Sequence, residues 1–291
     1  VWDKAMLELL GHQILTGLFR SSYYWLIASG LTLIFGVTRV INFAHAAFFV
    51  LGGYIALTVD ILTGNFWLSV AAATLAVGMV GTSVERVFVK PLYKVESLYQ
   101  LLITFAVTLI INDASKLIWG AASRSMKIPA ELALPVWIAG RSYPLFFFII
   151  IATAVAVFIL LYMVLEKTFW GLKVKSTWRD VTMAQALRIN TGRIYTTTFS
   201  IGSLLAGFGG ALMVAFTPVA PGLGDSLIIT AFIIVVIAGL GNLIGAYVSS
   251  ILIGVAESLF LLYLPEFDIL LIFVIMAAVL LVRPWGLFGE R

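Results

Sequence analysis

Long apolar blocks alternate with short polar, glycine-rich or basic stretches along almost the whole chain. A membrane-crossing helix takes about 20 apolar residues. Such blocks predict spans near 14–36, 40–62, 66–88, 98–119, 143–165, 195–216, 226–240, 243–263 and 267–283. The seventh is short and flanked by glycines, as a half-helix would be. Within each block the apolar residues are continuous rather than alternating, which disfavours a β-barrel. The predicted fold is all-α: a polytopic transmembrane helical bundle of about 8–10 spans, with broken or short helices, forming one transmembrane domain over 1–291.

Composition narrows the class further. Hydrophobic residues make up 62% and charged residues 11%, with a mean hydropathy of +1.10. That is far more apolar surface than a soluble core of this length needs. Cysteine is absent, which excludes disulfides and cysteine-ligated metals. The opening residues VWDKAMLELLGHQ carry Asp3 and Glu8 and do not read as a signal peptide. The net charge of +4 belongs to loops and points to membrane orientation rather than to nucleic acid.

The longest polar stretch, 166–194, carries Lys167, Lys173, Lys175, Arg179, Arg188 and Arg193 against Glu166 and Asp180. Basic loops stay in the cytoplasm. With this loop inside, counting through alternating spans also places Arg39, Arg86, Lys90, Lys94, Arg283 and Arg291 inside, twelve of the eighteen Lys and Arg. Asp60, Glu131, Asp225, Glu266 and Asp268 fall outside. The N-terminus is therefore predicted external and the C-terminus cytoplasmic. Residues 120–142 form the largest external loop, in which Pro129 and Pro135 interrupt any helix.

Polar residues inside the spans are the candidate functional groups. Asn42, His45, Ala46, Phe49 and Gly53 share one face of a helix, with Asn42 and His45 about one turn inside the cytoplasmic boundary. They read as a gate or pathway lining, or as hydrogen bonds that fix packing. Gln100, Thr104, Thr108, Asn112 and Ser115 form a polar stripe along the fourth span, either a wet surface for a polar solute or an inter-helix contact. Asp113 points away from it, toward Lys116 or Arg124. Glu257 is the deepest acid the pattern places, at the end of a stripe of Ala246, Ser250 and Gly254. A carboxylate in a span marks a functional candidate or a structural pair. Glycines cluster at Gly202, Gly207, Gly209 and Gly210 and again at Gly239, Gly241, Gly245 and Gly254, which specifies close helix approach. The two histidines, His12 and His45, lie near opposite sides and make no metal spacing.

Within 166–194, Val181–Leu187 is predicted as a short helix, stopped by Asn190 and Gly192. It lies parallel to the membrane, where it can transmit force from a soluble partner or rest on the lipid surface.

At this point the sequence resembles a known family. GLTLIFGVTRVINFAHAAFFVLGGYIA at 30–56, MAQALRINTGRIYTTTFSIGSLLAGFGGALM at 183–213, AGLGNLIGA at 238–246 and RPWGLFG at 283–289 resemble, in order, the branched-chain amino acid permeases of ABC importers. The resemblance implies a second related permease subunit, two cytoplasmic ATPase subunits and an external or periplasmic solute-binding protein, in a bacterial-type inner membrane. It implies an ATPase-coupling helix around Trp178, Arg179, Asp180, Met183, Ala184, Leu187, Arg188, Asn190 and Gly192. The intramembrane polar faces, for their part, give Asn42, His45, Phe49, Thr104, Thr108, Asn112 and Glu257 as pathway candidates. The chain has no phosphate-binding Gly-Lys-Ser/Thr loop, so ATP and Mg are expected in the partner subunits and no cofactor in this chain. Two positions depart from the family pattern: Ala46 and Arg188 stand where glycine is usual. The expected cargo is a branched-chain or related amino acid, with urea, short amides and aromatic or organic acids as alternatives. A passive channel or ion-coupled carrier using His45 and Glu257 is the reading from a different class. No catalytic spacing is present to indicate an enzyme.

Overall fold

The structure, a computed structural model, describes residues 2–264 and 267–289. Glu266 and Arg291, used in the charge count, lie outside the described residues. The chain forms α1 (Trp2–Thr38), α2 (Ala44–Thr63), α3 (Phe66–Val84), α4 (Ser97–Trp119), a hairpin of β1 (Pro135–Ile138) and β2 (Arg141–Pro144), α5 (Leu145–Lys167), α6 (Phe169–Arg179), α7 (Val181–Ala186), α8 (Thr191–Met213), α9 (Leu223–Ala238), α10 (Leu243–Phe260) and α11 (Asp268–Val282). Each of the nine predicted spans overlaps a helix. Six are long and apolar enough to cross a membrane: α2, α3 with its continuation to Leu92, α4, α5, α8 and α10.

The predicted first span lies within α1, which is long enough to cross but more polar. The reason is its position. It packs on α10, α8, α5 and α9, so its hydroxyls turn onto protein: Ser21 and Ser22 donate to the carbonyls of Gly17 and Leu18. The lipid-facing helices show the opposite composition. α4 and α5 leave Leu102, Phe105, Ile110, Ile159 and Leu160 exposed.

Both glycine clusters mark places where helix backbones meet. A β-carbon on Gly210 of α8 would fall on the Phe49 carbonyl of α2. Gly207 likewise faces Gly52, and Gly254 of α10 faces Ser21 of α1. In hydrocarbon, where water gives no driving force, such approach is what van der Waals packing needs.

The 120–142 loop is more ordered than its prolines suggest. Pro135–Ile138 and Arg141–Pro144 pair antiparallel around Ala139 and Gly140, both at positive φ (46° and 78°), as a two-residue primed turn requires. His12 joins this hairpin to α1, with Nδ1 2.7 Å from the Tyr143 hydroxyl and Nε2 3.2 Å from the Ala139 carbonyl.

The stretch 166–194 is not one loop with a single helix. α6 forms first, with Thr168 accepting from the Gly171 N–H. Asp180 then caps α7 by accepting from the Met183 N–H at 2.9 Å. The predicted stops are corrected. Asn190 starts α8 by accepting from the Arg193 N–H, and Gly192 lies in the first turn of that helix. α7 is ended by Arg188, at φ 59°. The Ile189 N–H reaches back to the Ala184 carbonyl at 3.0 Å, the geometry of a left-handed helix stop. This explains why glycine is usual at 188. Arg188→Gly should relieve roughly 1 kcal/mol of left-handed strain, read as a higher unfolding temperature in mild detergent. An unchanged or lower temperature would show that the arginine side chain compensates.

Candidate functional site

Two helix starts meet, one of them buried inside the bundle, and together they organise the site. The first is α2. The predicted span began at 40, but 39–42 are non-helical and the helix begins at Ala44. Arg39, in the left-handed region at φ 55°, ends α1, and the non-helical residues 39–42 turn the chain back into the bundle. His45 therefore sits against Gly30 of α1, which also meets Gly202 at the centre of α8. His45 thus lies level with the centre of α8, and Asn42 is fully buried just before it. The second is α9. Its 16 residues run between Gly222 and Gly239, at φ 90° and 92°. That is about 24 Å of helix, shorter than the roughly 30 Å hydrocarbon core. Its Gly224 packs on the backbone of Ala46 and Ala47. The glycine expected at 46 is thus matched by one on the facing helix.

A break inside a membrane must satisfy its own backbone. Thr104 of the α4 stripe and Thr38, which accepts from the Val40 N–H, do this in part. The Thr104 hydroxyl donates to the Ile41 carbonyl at 3.2 Å and accepts from the Phe43 N–H at 3.3 Å. Gln100 donates to the carbonyls of Leu92 and Val95, and Thr108 to that of Thr104. Gln100, Thr104, Thr108, Asn112 and Ser115 are all buried. Asp113, on the exposed face, pairs with Lys116 at 3.0 Å. Asn42 is fully buried, and neither end of its amide has a partner among the described residues. His45 Nε2 donates to the Ile27 carbonyl at 3.0 Å, while Nδ1 has no partner among the described residues.

A charged constellation lies toward the other end of α1. Glu257 accepts from Arg20 Nη1 at 2.7 Å and from the Tyr24 hydroxyl at 2.6 Å. The three line a cavity of about 360 Å³ together with Phe49, Met213, Thr217, Leu223, Ser226, Leu227, Thr230 and Phe273. Its walls are chiefly apolar, with one cation, one anion and a few hydroxyls, the make-up of a small-molecule site. Of the predicted pathway residues, the structure brings Phe49 and Glu257 here. It leaves Asn42, His45 and Thr104 at the α2 break, and Thr108 and Asn112 further along α4.

Arg20 and Tyr24 were not singled out from the sequence. The signal was present: they are one turn apart on α1, and a carboxylate in a span calls for a cation at similar depth. Glu85 was also missed. It is fully buried at the far end of α3 and accepts from the Tyr93 hydroxyl at 2.9 Å. Burial first, and the Glu85 carboxylate second, push the Tyr93 phenol well above its ordinary pKa.

On the coupling segment, Met183 and Leu187 are strongly exposed while Ala184 is buried. α7 thus turns one apolar edge outward and packs the other on α6 and α8. Trp178 and Arg179, at the end of α6, line a second cavity with the end of α1 and the start of α10.

Comparison with known proteins agrees with this architecture. Residues 13–280 match the family described as branched-chain amino acid transport system / permease component. The chain is 31% identical to the high-affinity branched-chain amino acid transport system permease protein LivH of Salmonella typhimurium, over 96% of this chain and 95% of that protein. It is 29% identical to the probable branched-chain amino acid transport permease protein LivH of Methanocaldococcus jannaschii, over 98% and 95%. It is 28% identical to the permease protein BraD of Pseudomonas aeruginosa, over 96% and 95%. No solved structure matches. With a continuous match across nearly its whole length and a helical membrane bundle to carry it, the chain belongs to the branched-chain amino acid transport permease family and is the permease component of a transporter.

Proposed function

We propose that this chain is a membrane subunit of an ATP-driven importer that moves branched-chain or related amino acids across the inner membrane by alternating access. The cavity bounded by Arg20 and Glu257 is the observation that carries the reading. A zwitterion with an aliphatic side chain presents a carboxylate, an ammonium and an apolar body. The cavity offers a guanidinium, a carboxylate and walls such as Phe49, Leu223 and Leu227. The printed names of the relatives point to the same cargo.

The chain acts as one permease domain with its N-terminus outside and its C-terminus in the cytoplasm. The cavity opens past Ile229 and Phe273, both exposed, so a second related permease packed on α9 and α11 would close it. An external solute-binding protein delivers cargo on the side of the β-hairpin. Two ATPase subunits, which hold ATP and Mg, dock on α7 from the cytoplasm. Their closure biases the two membrane conformations, and the α2 and α9 starts supply the hinges.

Reconstitution in proteoliposomes with these partners tests the reading. Uptake of radiolabelled leucine should need ATP and both ATPases, and Thr230→Trp, which fills the cavity, should abolish it. Uptake driven by an ion gradient without ATPases would overturn the proposal in favour of a carrier using Glu257 and His45. Competition by urea, short amides or aromatic acids but not by leucine would move the cargo to those classes.

A further inference from the structure

The second cavity, at the end of α1 remote from Arg20, measures about 260 Å³. Its lining residues Tyr162 and Leu243 lie one helical turn from the stacked rings of Phe158 and Tyr247. Thr32 forms part of its lining and is 1% exposed, yet its hydroxyl has no partner among the described residues. Four other hydroxyls of α1 behave differently. Ser21, Ser22, Ser29 and Thr38 each donate to a carbonyl of their own helix. A buried hydroxyl without a partner loses about 1–3 kcal/mol, so Thr32 calls for a polar group inside the cavity.

The rim is cationic. Lys175 is held by Glu166 at 2.5 Å, but Arg179 has no acid within ion-pair distance among the described residues. The start of α10, at Leu243 and Ile244, forms the opposite rim. Asn242 occupies the Gly245 N–H, and the positive end of the helix faces the same space. The sides are apolar: Leu33, Val37, Leu165 and Val174. Tyr162 and Ile244 are exposed at the lateral edge, continuous with exposed Ile159 and Val248 on the same helices. A ligand therefore enters from the hydrocarbon, carries a negative head and keeps an apolar tail outside.

We propose that this cavity binds the head group of an anionic phospholipid. The phosphate lies between Arg179 and the start of α10, a glycerol oxygen accepts from Thr32, and an acyl chain runs along Tyr162 and Ile244. Bound there, the lipid ties α6, and with it α7, to the bundle. The inference needs only that the chain spans a bilayer and does not rest on the cargo or on ATP coupling.

Native mass spectrometry of the purified full chain, equilibrated in detergent with phosphatidylglycerol or phosphatidylcholine, tests it. Phosphatidylglycerol should be retained preferentially. Arg179→Gln should weaken its retention about fivefold, the effect of one cation near an anionic lipid, and leave phosphatidylcholine unchanged. Ile244→Trp, which fills the rim from a lipid-facing position, should remove the bound lipid without lowering the unfolding temperature. Equal retention of the two lipids, or unchanged retention in both variants, would overturn the proposal. Displacement by free glycerol phosphate would overturn it in favour of a soluble phosphate ligand.

Discussion

Arg20→Gln should destabilise the bundle by about 3 kcal/mol. Removing one partner of a buried ion pair costs roughly 3–5 kcal/mol because the other charge is left unpaired. The lower end applies here because the Arg20 side chain keeps 30% of its exposure, against 3% for Glu257. Glu257→Gln should cost less, since a neutral amide still bonds Tyr24 and strands no buried anion. The double variant should recover part of the loss, giving a coupling energy that a double-mutant cycle reads directly. Unfolding in a graded denaturing detergent supplies the measurement. If the single losses simply add, the pair contributes nothing to the fold, and the two groups serve only the cavity. The reciprocal expectation concerns transport. Under the proposed function Glu257→Gln should impair uptake more than it impairs stability, because the anion facing the cargo is gone while the packing survives.

The second large effect lies on α7. Met183→Asp together with Leu187→Asp should uncouple ATP hydrolysis from uptake while leaving membrane insertion intact. Both side chains are exposed, so a carboxylate there disturbs little inside the bundle. Anchors in a protein interface commonly contribute about 2 kcal/mol or more each, roughly thirtyfold in affinity per side chain, so losing two should empty the docking surface at ordinary concentrations. Ala184→Asp is a contrasting control. Ala184 is buried where α7 packs on α6 and α8, so its replacement should lower stability as well as coupling. Pull-down of the ATPases by the Met183/Leu187 variant at wild-type yield would remove α7 from the interface.

Much of the fold was legible from the chain. Continuous apolar blocks dictated helices and their order, because in hydrocarbon each segment has to satisfy its backbone within itself. The glycine clusters announced where helices touch. The short Val181–Leu187 helix was visible from composition. What escaped was anything that depended on depth. Residues 39–43 read as part of a helix because their apolar content matches the block that follows. The break is held in part by the side chain of Thr104, sixty residues on, which no local pattern reveals. Gly192 and Asn190 look like helix stops in isolation, since the same residue types end one helix and cap the next.

The pairing of Arg20 with Glu257 was hidden for a similar reason. Their separation of 237 residues closes only when Gly17 and Ser21 allow α1 to lie against Val255 and Gly254. Sequence alone determined that this is a helical membrane protein, which segments are apolar, and where small residues invite contact, because hydropathy and side-chain size are local properties. Tertiary structure alone decided which polar groups share a cavity, where α2 begins within the bundle, and which edge of α7 faces outward. Those follow from the packing of segments distant in the chain.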